Sequence, residues 1–299
     1  MFDFTVEQQV FEFGKSRIGG TPGLRPVVLI GTIFYHNHNI LTDERKGEFD
    51  QAKAESLIKI QDEWADKTGN PCMIDVVAST KEAMIKYLRF VPDKTEAPIL
   101  LDGILPEVRV AALDYVKEVG LTDRIVYDSI TPDYKQAEFD KIEEVGIKSS
   151  ILLAYYMKDF TTNGRVSCIK NLLPKVKSIG IEKPIIDTCV FDLPSFGPAL
   201  AAMHELKRSL GYPVGCGAHN AIALWKGLKK KLGKQASKPC VAATISACVT
   251  SGADYVLYGP VEDAEYAFPA AAMMDVAYSQ LHVEKKIKPA EDHPRYRVG

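Results

Sequence analysis

The chain has 299 residues, 46% apolar and 25% charged, with a formal net charge of -2. That composition suits a globular enzyme with a large core and excludes a phosphate-tracking nucleic-acid surface, which needs a clear excess of Lys and Arg. The N-terminal stretch MFDFTVEQQVFEFG has early acidic residues and no apolar signal region, and no apolar run approaches the ~20 residues of a membrane helix, so the sequence reads as cytoplasmic, without membrane insertion.

In chain order, VFEFGKSRIGG at 10–20 reads as a hairpin turning at Gly14 and Lys15, able to plug the N-terminal mouth of a barrel. Short β-rich runs then alternate with longer stretches of helical period, at 27–35, 72–78, 98–102, 124–130, 150–156, 184–190, 213–217 and 254–259. A doubly wound sheet has the same local grammar, and the count of eight favours a closed (β/α)8 TIM barrel. Ser79 to Glu82 spells a capping box before Met84, Ile85 and Leu88. Gly120, Gly146, Gly180, Gly211 and Gly252 each end a helical pattern shortly before a strand, as left-handed C-caps do. Residues 264–281 form a last helix and the polar tail 288–299 is expected over the surface. No linker or composition break divides the chain, which reads as one domain over 1–299. Cys72, Cys168, Cys189, Cys216, Cys240 and Cys248 lack CxxC spacing and read as reduced, mostly core thiols.

In such a barrel the site forms at the C-terminal strand ends, and carboxylates and amides gather there: Asp75, Asp102, Asp128, Asp187 and, in GCGAHNAI, Asn220. Each alone also fits a turn or helix cap. Together, with no Lys or Arg interspersed, they repel phosphate and suit a neutral ligand rich in N–H donors. A pterin is such a ligand, since its ring amide and exocyclic amine can donate in parallel to one carboxylate.

The segments GTIFYHNH, TGNPCMIDVV, AMIKYLRFV, YPVGCGAHNAI, WKGLKKK and YGPVEDAEYAFPA resemble, in order and spacing, the H-subunit family of tetrahydromethanopterin S-methyltransferase, including bacterial members that methylate tetrahydrofolate in glycine betaine metabolism. The resemblance runs over nearly the whole chain and implies a pterin-binding barrel that moves a methyl group between N5 of tetrahydrofolate and a corrinoid (cobalamin) carried by a partner protein. The archaeal alternative uses tetrahydromethanopterin within a membrane-associated complex; a non-catalytic pterin-binding subunit is a further class. By the same resemblance Asp102 and Asp187 hold the pterin's donor edge, Asp75 is their neighbour, Gly217 and His219 border the ligand, and Asn220 faces N5. The family pattern YNSI is YDSI here, so Asp128 departs from it and that contact stays open. A homodimer is expected from the resemblance and from the prevalence of two-fold assemblies.

His36 and His38 form an H-x-H after the first strand, but further metal ligands at the fifth and sixth strands are missing, so they read as rim residues or corrinoid contacts rather than a metal centre. His219 is either a proton relay or a packed loop residue bonded to backbone. Cys189 and Cys216 lack a matched His and read as inert. The lysine run at 226–234 fits a solvated face, or an attractor for an acidic partner or a polyglutamate tail. Tyr258, Glu262, Glu265 and Tyr266 surround the end of the eighth strand, where Glu262 either borders the pocket or places charge at a helix start.

Overall fold

The computed structural model describes residues 4–299. A hairpin of β1 (Val10–Phe13) and β2 (Ser16–Gly19) comes first, turning through Gly14 at φ 56°. There follow β3 (Val28–Ile33), a small hairpin of β4 (Leu41–Asp43) and β5 (Glu48–Phe49), α1 (Gln51–Thr68), β6 (Cys72–Ala78), α2 (Lys81–Phe90), β7 (Ile99–Gly103), α3 (Pro106–Glu118), β8 (Ile125–Ile130), α4 (Gln136–Val145) and β9 (Ser149–Leu153). The remainder is α5 (Thr162–Ser178), β10 (Lys183–Asp187), α6 (Leu193–Leu210), β11 (Val214–Gly217), α7 (His219–Ala223), α8 (Ser237–Thr250), β12 (Tyr255–Pro260) and α9 (Ala264–Val283). Eight parallel strands close in the order β3-β6-β7-β8-β9-β10-β11-β12 and back to β3, the barrel that the alternation predicts.

The period-two alternation of strand side chains explains where everything else sits. Inward-facing Val28, Ile30, Met73, Leu100, Val126, Ile151, Ile185, Tyr255 and Leu257 fill the barrel, while the intervening residues pack outward against the helices. Phe13 and Ile18 of the first hairpin join the inner cluster, so the hairpin seals the N-terminal end as expected. Beneath it Lys207 of α6 donates to Gly20 O and to both oxygens of Asp254 at 2.8 and 2.9 Å, an ion pair wholly out of solvent.

The five glycines expected to end helices all take positive φ, between 70° and 94°. Three local expectations need correction. The cap of α2 is Thr80, whose side chain accepts from Ala83 N–H; Ser79 Oγ has no partner among the described residues, because the helix starts one residue later than the S-x-x-E pattern suggests. The sequence overruns β3, β9 and β10, because their apolar continuations enter the mouth loops, where Phe34 and Cys189 turn the chain with left-handed φ of 63° and 61°. The tail does not merely lie over the surface. His293 and Pro294 are buried, Ala290 N–H donates to Leu24 O, and Arg295 donates to Ser279 and Gln280 of α9. All six cysteines are free thiols, five of them buried, with Cys216 and Cys248 sulfurs 3.5 Å apart.

Candidate active site at the barrel mouth

One pleat above the apolar interior layer, the inward-facing residues change character. Asp75 follows Met73, Asp102 follows Leu100, Asp128 follows Val126 and Asp187 follows Ile185, each two positions along its strand and on the same face. Thr32, Leu153, Gly217 and Leu257 complete this layer from β3, β9, β11 and β12, and all eight line one cavity of about 430 Å³. Around it stand Ser129 of β8, Tyr35, Cys189, Val190 and Phe191 of the mouth loops, and His219 and Asn220 at the start of α7. The structure thus brings all seven residues singled out from the sequence, Asp75, Asp102, Asp128, Asp187, Gly217, His219 and Asn220, to a single cavity, and among the described residues no Lys or Arg lines it.

Crowding dominates its electrostatics. Carboxylate oxygens of Asp75, Asp102 and Asp128 lie within 4.8 Å of one another, a spacing that can hold a hard cation or a ligand's N–H donors. Burial, then the charge of Asp102, pushes Asp75 well above the usual carboxylate range against the hydrogen bond it accepts from Thr32 Oγ1 at 2.8 Å. Its Oδ1 has no partner among the described residues. Asp128 is likewise raised, by burial and then by the charges of Asp102, Asp75 and Asp187. Both therefore favour the neutral acid, which donates as well as accepts. Asp102 is raised by burial to about 6, with Arg109 opposing. Asp187 is also raised by burial to about 6, opposed by backbone N–H donors of Cys189 and Gly217, the former at 2.6 Å.

Two buried arginines just outside the cavity escape a reading of strand ends. Arg109 of α3 donates to Gly103 O at 2.7 Å and Ser129 O at 3.1 Å, and reaches Glu138 at 3.4 Å. Arg165 of α5 donates to Phe160 O, Thr188 O and Cys189 O. Each ties strand-end carbonyls from behind, and each favours the charged form of an aspartate it approaches. Their only sequence signal is an Arg in the first helical turns after a strand, which ordinary surface helices share.

Asn220 Nδ2 donates to Val190 O at 3.0 Å, leaving Oδ1 without a partner among the described residues. Of the two readings of His219, the backbone contact is present: its Nδ1 lies 3.3 Å from Leu257 O, and burial pulls the ring below its usual pKa. The ring needs Gly259, where a Cβ would stand 2.7 Å from that of His219. His36 is exposed and pairs with Glu44 at 2.8 Å. His38 is buried and pairs with Glu262 at 2.8 Å, so the two histidines of H-x-H serve different glutamates. Tyr258 donates into the outer layer to Gln61, and Lys229, Lys230, Lys231 and Lys234 are exposed.

No helix among the described residues is long and apolar enough to cross a membrane. The sequence pattern of the family described as "Tetrahydromethanopterin S-methyltransferase MtrH subunit" matches residues 6–290. Among similar proteins, the H subunit of tetrahydromethanopterin S-methyltransferase from Methanothermobacter thermautotrophicus is 40% identical with all of both chains covered. The protein of the same name from Methanocaldococcus jannaschii is 37% identical over 98% of each chain, and that from Methanopyrus kandleri 37% over 96% of each. A full-length match at this identity, on a barrel whose mouth holds these residues together, fixes the relationship: the chain belongs to the H-subunit family of tetrahydromethanopterin S-methyltransferase, a family of methyltransferase subunits.

Proposed function

We propose that this barrel binds a reduced pterin and exchanges a methyl group between its N5 and a corrinoid presented by a separate protein at the mouth. What carries the assignment is the ring of four carboxylates in a cavity lined, among the described residues, by no Lys or Arg, matched to a ligand that is rich in N–H donors and neutral at its head. Asp102 and Asp187, ionising near 6, accept from the ring amide and exocyclic amine. Asp75 and Asp128 contribute as neutral acids. A protonated Asp128 presents one acceptor oxygen and one hydroxyl donor, the same pair of functions as the Asn that the family pattern carries there.

Asn220, its amide nitrogen tied to Val190 O, offers Oδ1 to the N5 hydrogen and orients the lone pair. In the forward sense that pair attacks the methyl carbon of the methylated corrinoid, the N5–C bond forms as the cobalt–carbon bond breaks, the bonding pair leaves with cobalt and N5 loses its proton. The corrinoid supplies the reactivity; the protein's share is position and a matched dielectric environment.

Tetrahydrofolate is the substrate proposed from the bacterial members of the family. Tetrahydromethanopterin is the second reading, favoured by the names that the relatives carry. A homodimer completes the proposal. Incubating the protein with methylcobalamin and each pterin in turn, while following the corrinoid spectrum, tests it: loss of the methylcobalamin absorbance with formation of N5-methylpterin is expected, and none with either pterin would refute it. Asn220→Ala lowers that rate on the order of 10²-fold with pterin affinity nearly kept.

A further inference from the structure

The strand order divides the mouth into two arcs. Five consecutive strands, β6 to β10, carry the four aspartates, and the other three, β11, β12 and β3, carry none of them. From the segments that follow the strands of this second arc come Asn220, Tyr35, His38 and Glu262. Tyr35 lines the cavity, and its hydroxyl donates to Glu262 Oε1 at 3.3 Å. His38 stacks on the Tyr35 ring with centroids 4.1 Å apart. Its Nδ1 accepts from Phe34 N–H at 3.1 Å, which leaves the ring proton on Nε2 to be donated to Glu262 Oε1 at 2.8 Å. Tyr35 and His38 each directly follow a non-glycine residue with left-handed φ, Phe34 at 63° and Asn37 at 62°, a conformation with a steric cost that recurs where side chains are held for a task. Glu262 Oε2 is buried without a partner among the described residues, while the side chain as a whole is 30% exposed, so the residue stands at the boundary between the triad and solvent.

We propose that Tyr35, Glu262 and His38 form the outlet for the proton that N5 must lose when it is methylated. The inference rests on the methyl-transfer reading above. As the N5–C bond forms, N5 becomes a cationic amine. Its proton exchanges the bond to Asn220 Oδ1 for one to Tyr35 Oη and passes there while the Tyr35 hydroxyl proton passes to the Glu262 carboxylate, and Glu262 then releases it to water. In the reverse direction the same chain protonates N5 as the methyl leaves. Each group is in the state this needs. Burial and the charge of Glu262 hold the Tyr35 phenol above its usual value, so it stays protonated between transfers. Burial opposes ionisation of Glu262, but hydrogen bonds from His38, backbone and Tyr35 outweigh it and keep the carboxylate charged. Other ionisable groups near this pair are Asp263, beside Glu262, Lys238, which pairs with Asp263, and the buried Tyr258, whose hydroxyl donates to Gln61. Among the four aspartates, those that ionise near 6 are occupied with the donor edge. Tyr35 and Glu262 would act in the reaction, and His38 is a positioning residue.

The test uses the full-length protein with free methylcobalamin and the pterin that the wild type methylates, measuring transfer rate against pH and pterin affinity separately. Glu262→Gln and Tyr35→Phe are expected to slow transfer about 10²-fold with pterin binding retained. Added acetate is expected to restore part of the rate to Glu262→Ala and none to Asn220→Ala. His38→Gln, by removing a bond that stabilises the Glu262 carboxylate, is expected to move the acid limb of the rate profile to higher pH. Wild-type rates in Glu262→Gln and Tyr35→Phe would overturn the outlet alone. So would a loss of rate that tracks lost pterin affinity and resists acetate. A wild type inactive with either pterin would overturn the methyl-transfer reading itself.

Discussion

The two ends of this barrel treat buried aspartate in opposite ways. At the closed end Asp254 is met by Lys207 on both oxygens and by Val214 N–H at 2.8 Å, under a hairpin that shuts out water. At the open end Asp75, Asp102, Asp128 and Asp187 share a cavity with no cationic side chain in its lining among the described residues. The charge pair at the base holds the fold together, whereas unpaired acceptors at the mouth raise one another's proton affinity and stay available to a ligand. The contrast says which carboxylates belong to folding and which to chemistry.

It is most vulnerable at the base. Lys207→Met leaves Asp254 buried without its counter-charge and is expected to cost about 3–5 kcal/mol in denaturant unfolding, with the pterin site intact in the surviving folded fraction. If the loss were no larger than for a surface lysine, the assignment of Asp254 to folding would be wrong.

At the mouth, Asp102→Asn or Asp187→Asn removes an ionised acceptor from the pterin edge and is expected to weaken pterin binding by about 1.5–3 kcal/mol in a calorimetric titration. In the unchanged protein, affinity should fall as pH drops through about 6, where Asp102 and Asp187 take up protons. Folding stability of the ligand-free chain should move the other way. Both groups have a folded-state pKa raised above the unfolded value, so they contribute stability at low pH that is lost as pH rises through about 6. Melting temperatures compared on either side of that value, with the two Asn variants giving the flatter profiles, check the sign.

A milder change probes β8. Asp128→Asn is expected to keep pterin affinity, since the neutral acid and the amide offer the same donor and acceptor, and to stabilise the ligand-free chain by about 1 kcal/mol through relief of crowding. Binding lost in that variant would mean Asp128 works as a charged group. The smallest effect lies at the start of α2, where Thr80→Ala should cost about 1 kcal/mol in thermal unfolding while Ser79→Ala leaves stability unchanged.

Legibility in the sequence followed the same division between backbone rhythm and side-chain reach. Strand spacing and the C-cap glycines are short-range signals, so the barrel, its sealing hairpin and the strand-end aspartates could be read directly. The mouth loops could not. Phe34 and Cys189 look like continuing β-strand because apolar residues serve equally in a strand and in a buried left-handed turn. Arg109 and Arg165 lie six and twenty-three residues from carbonyls they bind, Gly103 and Thr188, and an arginine facing inward has the same local pattern as one facing water. Tyr35 and His38 meet Glu262 across 227 and 224 residues of chain, a contact that only closure of β12 against β3 creates. The pull of neighbouring charges on Asp128 likewise depends on a barrel radius that no local pattern states.

If the mouth aspartates read a pterin's donor edge and turn N5 toward Asn220, a crystal structure of the protein soaked with tetrahydrofolate will display that arrangement atom by atom. The expected result is a pterin ring in the 430 Å³ cavity, its amide and amine on Asp102 and Asp187 and its N5 within hydrogen-bond distance of Asn220 Oδ1. A ring bound elsewhere, or inverted so that N5 faces the aspartates, would contradict it.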